Sequence, residues 1–120
     1  MPSRPKRLPK RKPTSPDLTD TGNRFVVQGK LAERDALRHT PAGVPILNFR
    51  IAHASQQIEA GAARQVEFEL ACVAVEEKAK LLSAAALGSA MLLSGFMALG
   101  TRSGRQLVLH VDKIEFRSDQ

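Results

Sequence analysis

The stretch Gln65-Val66-Glu67-Phe68-Glu69-Leu70-Ala71-Cys72-Val73-Ala74-Val75-Glu76-Glu77-Lys78-Ala79-Lys80-Leu81-Leu82 decides the architecture of this 120-residue chain. Its first half alternates, with Val66, Phe68, Leu70 and Cys72 on one face and Gln65, Glu67, Glu69 and Ala71 on the other. Period-two alternation over a run of this length predicts a half-buried strand. Its second half opens with Glu76 and Glu77, acids in a first helical turn, where they complement the macrodipole. The helix is expected over residues 76–87, with Gly88 as its C-terminal stop.

Four further strand-like runs flank this unit, at residues 24–33 and 44–55 before it and at residues 89–99 and 105–117 after it, the unit's own strand being 65–75. Five strands with one helix between the third and the fourth is the order of a small Greek-key barrel. The predicted class is therefore all-β, a five-stranded OB-fold barrel with one short helix between strands 3 and 4. Barrels of this type hold extended polymers on one face and two loops, so strand order already points to a ligand class.

Details of the strands support closure. Gly29 and Gly95 fall inside the first and fourth strands, and a mid-strand glycine weakens a strand unless the chain bends or packs closely there. Thr40-Pro41-Ala42-Gly43 marks a turn before strand two, since proline presets φ and glycine accepts a positive φ. Strand two places Leu47, Phe49 and Ile51 on one face and Asn48, Arg50 and Ala52 on the other. Residues 56–64, containing Gly61, are expected to form the connection to strand three. In strand five the phase shifts after Lys113 to Ile114 and Phe116, which predicts a bulge. The five phenylalanines (Phe25, Phe49, Phe68, Phe96 and Phe116) read mostly as core, and Cys72 as a small buried apolar group.

Composition narrows the function classes. An apolar content of 42% with 25% charged residues is ordinary for a globular chain. The longest apolar candidate, residues 84–99, is broken by Gly88, Ser89, Ser94 and Gly95, and no run reaches the roughly 18 residues of a membrane span. The single cysteine excludes an internal disulfide, and the basic N-terminus lacks the apolar run of a secretory signal. A cytoplasmic location is the expectation. The net charge of +6 is concentrated at one end. Residues 1–22 hold Arg4, Lys6, Arg7, Lys10, Arg11 and Lys12 against Asp17 and Asp20, together with five of the seven prolines. Such a segment cannot repay its ordering entropy by burial, so residues 1–22 are expected to be a disordered basic tail and residues 23–118 the folded domain. The tail is either an arm that adds nonspecific phosphate affinity or a solvated extension.

Catalytic constellations are missing. His39, His53 and His110 lack metal-ligand spacing and a partner cysteine. The serines lack a nucleophile-elbow context, and no P-loop glycine pattern is present. Glu67 and Glu69 share a strand face, about 7 Å apart by strand rise, without any further group that would build a substrate pocket. The chain reads as a non-enzyme with no metal, no cofactor and no small-molecule substrate.

The segments Asn23-Arg24-Phe25-Val26-Val27-Gln28-Gly29, Thr40-Pro41-Ala42-Gly43-Val44-Pro45, Arg64-Gln65, Gly95-Phe96 and Leu107-Val108-Leu109-His110 resemble, in order and near-matching spacing, the primosomal replication protein N (PriB) family, relatives of the single-stranded DNA-binding proteins. The resemblance implies an OB-fold homodimer that binds single-stranded DNA, stimulates the PriA helicase and passes the complex to DnaT for helicase loading. It also implies the absence of a catalytic site and of a cofactor.

Family members use basic residues after strand one, to which Arg38 corresponds, and a lysine-rich loop between strands four and five, where this chain has Arg102 and Arg105. Arg50 and Arg64, with Lys30 and Arg34, complete the candidate nucleic-acid contacts. The family's base-stacking aromatic on strand three falls here at Glu67. Stacking contributes about 1–3 kcal/mol per base, and a carboxylate repels phosphate, so weaker and more salt-dependent binding is expected than in an aromatic-bearing relative. Two other readings stay open: a general single-strand coating protein, and a protein-interaction barrel with vestigial DNA binding, favoured by Glu67 and Glu69.

Overall fold

The computed structural model describes residues 21–100 and 105–117, and contains β1 (Phe25–Arg34), β2 (Arg38–His39), β3 (Pro45–Glu59), β4 (Ala62–Val75), α1 (Glu77–Ser83), β5 (Ala90–Leu99) and β6 (Leu107–Phe116). The expected tail at residues 1–22 lies outside the described residues except for its last two positions. The sheet runs β1-β5-β6-β4-β3-β2, and an additional β1–β3 pairing closes its five long strands into a barrel. β4 and β6 pair in parallel, while every other pairing is antiparallel.

Closure depends on β1 serving two neighbours. Its residues 25–30 pair with β5, and its residues 30–34 pair with β3. The handover falls beside Gly29, where a Cβ would stand 2.7 Å from the Ala52 carbonyl oxygen. Gly95 is tighter, since a Cβ there would stand 1.9 Å from the His110 carbonyl oxygen. Both glycines therefore serve close backbone approach, as their mid-strand placement suggests. Next to Gly95 the β5–β6 register jumps from Ser94↔Lys113 to Gly95↔Val111, leaving Asp112 as the extra residue. This is the bulge expected from the phase shift in strand five, one residue earlier than the sequence pattern marks it. The two Nη atoms of Arg24 hold the carboxylate of Asp112 at 2.7 and 3.1 Å, and that hydrogen bonding lowers the carboxyl's pKa below its usual range.

The interior is apolar throughout. Leu31, Leu47, Ile51, Leu82, Met91, Leu93 and Leu109 are fully buried, and no polar or charged residue is buried among the described residues. α1 closes one end of the barrel with Ala79 and Leu82. Cys72 lies in this core, and burial pushes its thiol up to about 12.

Three expectations need correction. The helix stops at Ser83 rather than residue 87. Bonds of i to i−3 spacing, from Ala84 N–H to the Leu81 carbonyl and from Ala85 N–H to the Leu82 carbonyl, end the regular ladder, and the Arg34 guanidinium donates to the Leu82 and Ala85 carbonyls. Gly88, with φ +90°, instead makes the turn into β5. The connection expected over residues 56–64 is mostly strand: β3 and β4 run on to a two-residue turn at Ala60 and Gly61, whose φ values of 54° and 81° suit a type I′ hairpin. The arm projects past the core, so the alternation of residues 65–69 does not separate buried from exposed side chains there.

The phenylalanines are the third correction. Only Phe49 is core; Phe25, Phe68, Phe96 and Phe116 are each more than 40% exposed. Phe68 lies on the projecting arm, stacked on His53 at 4.7 Å. Phe25 and Phe116 sit at strand ends, and Phe96 follows Gly95 out of the core.

Candidate nucleic-acid interface

Alternation on the barrel strands sends Leu47, Phe49 and Ile51 of β3 and Cys72 and Ala74 of β4 inward. The intervening residues Asn48, Arg50, Ala71 and Val73 therefore face out, and they form the floor of a groove of about 500 Å³. One wall comes from the chain between β1 and β2, with Arg34, Asp35 and Arg38. The other comes from the β5–β6 connection at Leu99, Gly100 and Gln106, followed by Val108 and His110 on β6. The groove thus lies between two loops on an outer barrel face.

Each wall has a local cause. Gly43 N–H donates to the Thr40 carbonyl, Thr40 N–H to the Val44 carbonyl, and Val44 N–H to Thr40 Oγ1 at 3.1 Å. This knot, with Gly43 at φ +89°, folds β2 back onto β3 so that Arg38 pairs with Ile46. Arg38 is exposed and makes no ion pair or side-chain hydrogen bond among the described residues. At the other wall, Gly100 N–H donates to the Gln106 carbonyl at 2.8 Å.

The sequence-predicted cations divide accordingly. Arg34, Arg38 and Arg50 come together in the groove. Arg50 Nε lies 3.3 Å from Glu69 Oε1, and the Arg34 side chain is engaged at the end of α1, so Arg38 is the most available of the three. Arg105 is exposed and precedes the groove-lining Gln106 in the chain, and Arg102 lies outside the described residues. Lys30 is elsewhere, in a separate and larger depression of about 1000 Å³ with His53, Glu67, Phe68 and Arg117. Arg64 is on the hairpin arm, 2.7 Å from Glu59. Glu33 and Asp35 also border the groove, which is therefore moderately rather than uniformly basic.

Sequence reading missed two residues. The rings of Phe96 and His110 stack nearly parallel, 7° apart in plane with centroids 4.9 Å apart, and His110 lines the groove. Gly95 was the available signal: a bulge there shifts the next side chain out of the core pattern.

Among the described residues no cluster of histidine, cysteine and carboxylate side chains could hold a metal ion, and no helix is long and apolar enough to cross a membrane.

Residues 23–113 match the model of a family described as another single-strand binding protein family. The chain is 36% identical over 96 residues to the replication restart protein PriB of Nitrosomonas europaea, covering 80% of this chain and 89% of that protein. It is 35% identical over 91 residues to PriB of Bordetella pertussis, covering 76% and 85%. A solved structure of PriB from Ralstonia solanacearum superposes with a TM-score of 0.71 at 35% identity, covering 80% of this chain and 98% of that one. The single-stranded DNA-binding protein of Thermus aquaticus shares the fold, with a TM-score of 0.64 at 20% identity, over 80% of this chain and 50% of that one.

Proposed function

The chain belongs to the PriB family of OB-fold proteins, related to the single-stranded DNA-binding proteins, and from that premise we propose that it binds single-stranded DNA during replication restart, in the groove between the β1–β2 and β5–β6 connections. The observation that carries this reading is the convergence of Arg38 and Arg50, from separate elements, on one open barrel face. That face has the shape a flexible strand needs, with cations for phosphates and an apolar floor at Ala71 and Val73 for bases. The role is one of binding and not catalysis.

Within that role the protein assists the PriA helicase and hands the complex to DnaT, in the cytoplasm. The proposed division is a domain over residues 23–118 and a basic segment 1–22 that adds nonspecific phosphate attraction. A homodimer is supported by the edge of β1. Residues 25–29 pair with β5 on one side, and among the described residues no strand pairs with their other side. Val26 is 66% exposed there. Such an edge invites a second strand.

A second reading, a protein-interaction barrel with little DNA affinity of its own, is favoured by Glu67 and Glu69 on the β4 face that continues the groove floor. Fluorescence anisotropy of a labelled oligo-dT at two salt concentrations, with and without the cognate helicase, separates the two. Salt-sensitive binding by the protein alone supports the groove reading. Retention only when the helicase is present supports the interaction barrel.

A further inference from the structure

The outer face of β4 carries Glu67 and no aromatic, yet the groove does have an aromatic wall. Pairing sets one row straight across the outer face: Asn48 opposite Val73, Val73 opposite His110, and His110 opposite Phe96. Neighbouring strands lie about 4.8 Å apart, and the His110–Phe96 centroids are 4.9 Å apart with the planes 7° from parallel. The two rings therefore stand on adjacent strands and stack along the row. The next place in the row is occupied only by the short side chain of Val73, and both His110 and Val73 line the groove. On the β3 side of that place, Arg50 and Asn48 alternate on the outer face, and Arg38 is paired to Ile46 just beyond.

Resting on the reading of this groove as a single-strand site, we propose that one nucleobase inserts over Val73 and stacks on the groove side of His110. Phe96 backs the imidazole, and Arg38 and Arg50 take the adjoining phosphates. Phe96 is a positioning residue: it holds the His110 ring upright, since an aromatic pair prefers an offset-stacked arrangement that neither ring keeps alone. Its own exposure of 42% follows from the same geometry, because it lies on the outer face and not in the core. The site tolerates any base, as every base presents a π-face.

The test compares oligo-dT with an oligonucleotide of equal length containing a run of abasic residues. His110→Ala is expected to weaken binding to oligo-dT by about five-fold or more, the range of one lost base stack, without changing the salt slope, and to leave abasic binding unaltered. His110→Phe is expected to restore oligo-dT binding. Phe96→Leu, checked by thermal melting for retained fold, is expected to give a smaller loss confined to oligo-dT. Arg38→Ala is expected to weaken both ligands and flatten the slope. If Arg38→Ala acts as described while His110→Ala changes neither ligand, or weakens both equally, the stacking proposal falls and the groove reading stands. If the wild-type protein binds neither ligand at low salt, the groove reading falls and takes the stack with it.

Discussion

Arg50 Nε lies 3.3 Å from Glu69 Oε1, so a central cation of the groove is partly neutralised by a carboxylate of β4. Both side chains are part-exposed, so the pair contributes little to stability, typically below about 1 kcal/mol. Its consequence is for binding: a phosphate must compete with Glu69 for Arg50. Glu69→Gln should tighten oligo-dT binding several-fold and steepen the dependence of log K on log salt by about 0.7, the increment of one more phosphate contact on a single strand. Anisotropy across a salt series reads both, and unchanged affinity would show that Arg50 does not meet the strand.

Arg102 and Arg105 are the cations that the sequence offers between β5 and β6. Replacing both with alanine should weaken binding at low salt and flatten the slope by roughly 1.4, about 0.7 per contact. The same titration assigns the loop: a slope equal to wild type removes it from the interface.

Gly95 determines both closure and the aromatic wall. A methyl group there would stand 1.9 Å from the His110 carbonyl oxygen, a backbone atom that cannot move without disturbing the β5–β6 ladder. Gly95→Ala should cost roughly 3 kcal/mol or more, at the upper end of overpacking penalties. Gly29→Ala, where the nearest atom is 2.7 Å away, should cost less. Denaturant midpoints of the two variants settle the order; equal, small losses would mean that neither strand approach is tight.

These two glycines also show what could be read without a structure. The bends, the strand order and the alternation of β3 were visible because each leaves a local pattern, period two or a glycine out of place. The fate of the phenylalanines was not, because an inward or outward assignment depends on register. A bulge of one residue at Asp112 and an arm continuing past the barrel change the phase without changing composition. Arg38 and Arg50 were legible as surface cations, but their meeting in one groove is tertiary. Nothing local reveals that Arg34 also donates to the Leu82 and Ala85 carbonyls at the end of α1 from a distant strand.

Cys72 gives a pH signature. Its thiol is held at about 12 in the fold by burial, against an ordinary value near 8.5 in the unfolded chain. Above pH 8.5 the unfolded state therefore binds fewer protons than the native state, and stability must fall as pH rises. The limiting slope is about 1.4 kcal/mol per pH unit, until the native thiol itself titrates. Cys72→Ala should lack this component, seen as a shallower loss of melting temperature between pH 8 and pH 10. Native protein should also resist thiol-directed reagents at pH 8, with reaction appearing only on unfolding.

The central claim is that the strand lies in the groove of Arg38, Asn48, Arg50, Val73 and His110, and not on the projecting arm or in the depression beside Lys30. Amide and side-chain chemical shifts followed by NMR during titration with oligo-dT test it directly. The predicted result is a cluster of perturbations on those five residues and on Gln106, with His53, Phe68 and Arg117 unmoved. Perturbations centred on Lys30, His53, Phe68 and Arg117, with the groove silent, would contradict it.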